Sequence, residues 1–125
     1  MQLYVWMAGW QMECCGTPFR KGDEVSWQLR HPNSTELAWL DSVLHDGVAA
    51  TVDAVEDHHG GSSAPLTVGA VASIVTLHCR FAPKPVTGSG LMTPVVMAEK
   101  WNDDLDDQHF AGFLIRIVTA NPVRL

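Results

Sequence analysis

The sequence predicts a mainly β fold of the α+β kind: about six antiparallel strands curled into a small OB-like or SH3-like barrel, with one helix at about residues 34–45 over an opening. Three observations lead there. Period-two alternation of apolar and polar residues recurs along the chain, most cleanly at 24–30, where Val25, Trp27 and Leu29 oppose Glu24, Ser26, Gln28 and Arg30. Clusters of Gly, Pro, Ser and Asp separate these runs at short intervals. A helical period emerges with its own start signal only after Pro32.

In chain order, Leu3, Val5 and Met7 alternate with Tyr4, Trp6 and Ala8. Both sets are apolar, so the first strand is expected to be covered on both faces. Cys14 and Cys15 are expected at the end of an extended segment, because Gly16-Thr17-Pro18 reads as a tight turn. Lys21-Gly22-Asp23 is a second turn, leading into the strand at 24–30. At 33–36, Asn33 can cap the first backbone N–H groups of a helix while Glu36 reaches back to complete a capping box. Leu37, Leu40, Val43 and Leu44 then share a helical face with Trp39 at its border, and Gly47 is placed to end the helix.

A strand is expected at 48–56, followed by a Gly- and Ser-rich loop at 57–65, the stretch with the strongest signal for mobility. The run at 69–81 exceeds the usual strand length, which predicts a bend or bulge near Ser73. Its alternation assigns Val71, Val75, Leu77, Cys79 and Phe81 to one face. Pro94 places a strand at 91–100 on an edge or a bulge. Asp103 to Asp107 read as a solvated turn before a last strand at 110–119, with Phe113, Ile115 and Ile117 inward. No internal repeat or linker divides the chain, so one globular domain over 1–125 is expected.

Composition removes several function classes. A net charge of −6 with eight Lys and Arg leaves no basic footprint for nucleic acid or an anionic membrane. No apolar run approaches bilayer-spanning length, and the apolar N-terminus lacks the basic region of a signal peptide. Three cysteines, an odd number, suit a reducing cytoplasm better than a disulfide framework.

The block WQMECCGTPFRKGDEVSWQL at 10–29, with DHHGG at 57–61 and HCRFAP at 78–83, resembles a family of small uncharacterised actinobacterial proteins, a domain of unknown function. The resemblance implies no activity. It does direct attention to Cys14, Cys15, His58, His59 and Cys79.

Thiolate and imidazole are the preferred ligands of zinc, so these residues raise a structural metal site, with Cys15, His58 and Cys79 as the set to test. Ligands of such sites normally come in pairs two to four residues apart, whereas the cysteines and the histidines here are adjacent. Burial as a small core hydrophobe is the competing reading for Cys79. A disulfide between Cys14 and Cys15, or a cysteine nucleophile with a histidine base, is chemically allowable, but no third orienting group or oxyanion motif accompanies them. Five tryptophans supply the other candidate surface. Trp27 and Trp39 fall on or beside apolar faces, while Trp6, Trp10 and Trp101 are positioned to line a groove for a protein or small ligand. The expectation is therefore a non-catalytic binding module that can form a homodimer, with a zinc- or thiol-dependent site as the alternative.

Overall fold

The first strand organises the molecule. The computed structural model describes residues 1–45, 47–57, 65–82 and 84–125, and in it β1 (Gln2–Ala8) runs through a seven-stranded sheet. Leu3, Val5 and Met7 face one core while Trp6 faces another. The expectation of a strand covered on both faces holds except at Tyr4, which is exposed.

After β1 the chain forms a short helix, α1 (Gly9–Cys15), where an extended segment was expected. Ala8 gives it no side-chain cap. What holds it is packing: Gly9 lies so close to the Phe110 ring that an added Cβ would come within 2.8 Å of it. Next come β2 (Phe19–Arg20), β3 (Glu24–Trp27) and β4 (Leu29–Arg30). The strand expected at 24–30 is thus split at Gln28, although its inward residues Trp27 and Leu29 are buried as the alternation required.

The capped helix is α2 (Ser34–Val43), and both halves of the Asn33–Glu36 capping box are formed. Leu40 and Val43 are buried, but Leu37 is exposed, so the buried stripe is narrower than its sequence pattern. Gly47 adopts the left-handed conformation, φ 73°, beyond the helix end, where it starts a single 3-10 turn at Val48–Thr51. That turn replaces the first half of the strand expected at 48–56, and β5 (Ala54–Glu56) is the part that pairs into the sheet.

β6 (Thr67–Cys79) carries the predicted bulge: its register with β9 (His109–Val118) shifts between Val71 and Ser73. One extra residue reverses the alternation. Val71 and Ile74 therefore share the barrel interior, whereas Leu77 and Cys79 face the opposite core, which corrects the single face expected from Val71 to Phe81. β7 (Leu91–Val95) pairs with β6, and β8 (Met97–Ala98) pairs separately with β2. Pro94 lies in β7, off the main strand path, as an edge position requires.

The strand order β3-β6-β9-β1-β5-β4 nearly closes on itself, since β3 and β4 stand at its two ends and only Gln28 separates them. One pairing departs from the all-antiparallel expectation: β1 and β5 are parallel, with Val5 opposite Ala54 and Trp6 opposite Val55. The long connection between them, including α1 and α2, is what a parallel pair demands. Inside the barrel, Phe113, Ile115 and Ile117 pack with Leu3, Val5, Met7, Val71 and Ile74, and Phe19 meets Trp27 edge-on at 5.1 Å. The second core lies where α2 and the 3-10 turn cover the outer face of the sheet, burying Trp6, Leu40, Val43, Val52, Val55, Leu77 and Cys79.

Candidate binding groove

The second core is not covered to its edge. Where α2 begins, Trp6, Ala8, Trp10, Thr35, Glu36, Trp39 and Ala111 line a groove of about 350 Å³. Its floor is small: Ala8 and Ala111 from adjacent strands, with Trp6 lying across the backbone at Gly112, where a Cβ would come within 2.6 Å of the indole. Its walls are the first turn of α1, which carries Trp10, and the first two turns of α2, which place Glu36 and Trp39 three residues apart on one side.

The three indoles differ in exposure. Trp6 is 5% exposed and serves as floor, with Trp39 packed beside it at 5.8 Å between ring centroids and a 38° tilt. Trp10 is 56% exposed. Trp101 is 66% exposed but lies between β8 and β9 and contributes nothing to the groove. Trp6 and Trp10 thus share one groove, and Trp101 does not join them.

A polar network fixes the walls. The Arg30 guanidinium donates to both Glu36 oxygens, at 2.7 Å each, and through Nε to Asp57 Oδ2 at 2.8 Å. Gln11 of α1 donates to Asp57 Oδ1 at 3.2 Å. Arg30, on β4, therefore ties α2 to Asp57, and Gln11 ties Asp57 to α1. The Arg30 hydrogen bonds hold the Glu36 carboxyl below the usual carboxylate range; partial burial opposes this, and the Asn33 N–H adds to it. One guanidinium is thus set against two carboxylates, Glu36 and Asp57. Sequence reading placed Glu36 only as a cap and Trp39 only at a core border; their spacing of three on one helix was the legible signal that they share a face.

The cysteines separate. Cys79 is fully buried in the second core, where desolvation raises its thiol pKa. Cys14 and Cys15 are exposed at the end of α1, with their Sγ atoms 2.6 Å apart. Cys15 also lines a cleft with Thr17, Phe19 and Trp27. His58 and His59 lie outside the described residues, as does most of the 57–65 loop. Among the described residues no three His, Cys, Asp or Glu side chains gather closely enough to hold a metal ion, and no helix is long and apolar enough to cross a membrane.

Fold and groove together define a small, nearly closed β-barrel with an aromatic groove between two helix starts. Residues 1–119 match the family of unknown function DUF6578, and the chain belongs to that family. Compared with curated proteins and with solved structures, it matches none.

Proposed function

We propose that the domain is a non-catalytic binding module whose groove receives a basic side chain presented by a partner protein. The observation that carries this reading is the combination of Trp10 and Trp39 indoles with a rim whose only charged lining residue, among the described residues, is the Glu36 carboxylate. Indole faces attract cations through their quadrupole, with a contribution of about 0.5–2 kcal/mol depending on desolvation. Arg30 holds the Glu36 carboxylate at the groove rim, and the chain's net charge of −6 favours approach of a basic partner. Glu36 is engaged by Arg30 as a fixed anion rather than poised as a proton carrier.

The test is a titration followed at the indole N–H resonances, with butylammonium as the probe and butanol as its neutral match. The cation is expected to shift Trp10 and Trp39 at low millimolar concentration, on the order of the affinity that a single side chain provides, and to leave buried Trp27 unmoved. Raised salt is expected to weaken the effect. Equal shifts with butanol would reduce the groove to a merely apolar site, and no shift at Trp10 and Trp39 would overturn the reading.

A further inference from the structure

The pair Cys14–Cys15 lies outside the groove's lining and supports a separate site. Neighbouring residues on a helix do not normally face each other, yet these two sulfurs are 2.6 Å apart. Helix α1 ends at Cys15, Gly16 is extended at φ −79° and ψ 158°, and its N–H donates to Met12 O. Gly16 is pressed against Met12, whose Sδ would lie 2.6 Å from an added Cβ, so the turn after the pair is held in place. The third cysteine is sealed inside the molecule, which leaves Cys14 and Cys15 as the accessible thiols. Cys15 also lines a cleft of about 470 Å³ that reaches Phe19, Trp27 and the Asp23 and Glu24 backbone turn.

We propose that Cys14 and Cys15 form a redox site that reacts as one unit with a low-molecular-weight disulfide. In the first step one cysteine, as thiolate, attacks a sulfur of the reagent R–S–S–R. The reagent's S–S bond breaks, one RS⁻ leaves with the electron pair, and a mixed disulfide remains. The second cysteine then gives up its proton, attacks the protein sulfur of that mixed disulfide and expels the other RS⁻. With both leaving thiolates protonated, two protein thiols have been oxidised to one disulfide and R–S–S–R has been reduced to two R–SH. The hydrogen bond with Cys14 holds the Cys15 thiol protonated to higher pH, while Lys100 acts in the opposite sense and favours its thiolate.

Closure has a structural consequence. Adjacent Cα atoms stand about 3.8 Å apart across a trans peptide, less than the roughly 4.4–6.8 Å that disulfides usually span. The peptide between the cysteines must therefore shift, and the Gly16 N–H to Met12 O bond that ends α1 shifts with it. Because Cys15 lines the cleft, oxidation alters the wall opposite Trp27.

The experiment is intact-mass and peptide analysis of the reduced full chain after exposure to bis(2-hydroxyethyl) disulfide. The first Lys or Arg in the sequence is Arg20, so both cysteines fall in the single tryptic peptide 1–20. Wild-type protein is expected to lose the mass of two hydrogens, all within that peptide, with no retained adduct and with recovery on reduction. Cys15→Ser and Cys14→Ser are each expected to retain one reagent half as a stable mixed disulfide. Two retained adducts on wild-type protein would show that the sulfurs react independently. That result would overturn the proposal, as would an interchain disulfide or no reaction at all.

Discussion

The two cores are both apolar, the barrel interior richer in Phe, Ile and Met and the second core in Leu and Val, and they differ in how they are closed. The barrel interior is enclosed by the nearly closed sheet, with Met12 of α1 packed into it, and its central residues Phe113, Ile115 and Ile117 are fully buried. The second core is enclosed by a sheet face on one side and by α2 and a 3-10 turn on the other, and at its margin Trp39 and Trp6 give way to a groove. The lesson is that closure separates a stabilising core from one that offers a surface. A core sealed all round contributes to folding alone, whereas one sealed by a single helix leaves aromatic edges available to a partner.

That contrast can be broken at several points. The largest effect is expected from Phe113→Ala, which empties the sealed core and costs about 3–5 kcal/mol by urea unfolding. Among molecules that remain folded, probe affinity at the groove is expected to be unchanged. Gly112→Ala acts on both regions: the new Cβ meets the Trp6 indole and the Met7 carbonyl, so the ring must leave the groove floor. A loss of about 1–3 kcal/mol is expected from overpacking, accompanied by weaker probe binding. If Gly112→Ala destabilises but leaves binding intact, Trp6 is not part of the recognition surface.

Asn33→Ala removes the capping box at the groove wall and is expected to cost about 1 kcal/mol. The Glu36–Arg30 pair has a smaller influence, about 1 kcal/mol or less because Arg30 is substantially exposed. Its sign follows from the depressed Glu36 pKa. Its stabilisation is present above the unfolded glutamate value of about 4.3 and is lost as pH falls through the lower folded value. Glu36→Gln is expected to flatten that part of the acid-unfolding profile.

Much of the fold was legible in the sequence because it rests on local rules. The Asn33–Glu36 box, the inward set Phe113, Ile115 and Ile117, the edge position of Pro94 and the bulge near Ser73 each follow from residue chemistry within a few positions. What escaped depends on distant partners. α1 has no cap and is held by Phe110, roughly a hundred residues away in sequence, so propensity alone did not reveal it. Residues 48–54, VAATVDA, put Val and Ala on one face of a strand but fit a turn as well, and the left-handed Gly47 caps the turn that forms. The bulge was foreseen but not its effect, which was to send Leu77 and Cys79 to the opposite core from Val71. The groove was half legible. Trp6 with Ala8 on a strand, and Glu36 with Trp39 on a helix, are same-face pairs by spacing, but nothing local indicates that the two pairs meet.

The most direct test of the central claim is Trp10→Ala, read simultaneously by unfolding and by butylammonium titration at the Trp39 indole. Because Trp10 is exposed, stability is expected to stay within about 0.5 kcal/mol of wild type. The probe-induced shift at Trp39 is expected to weaken by up to about tenfold, the equivalent of about 1.4 kcal/mol. An undiminished shift in a protein of unchanged stability would contradict the account, because it would mean that the most open indole of the groove takes no part in recognition.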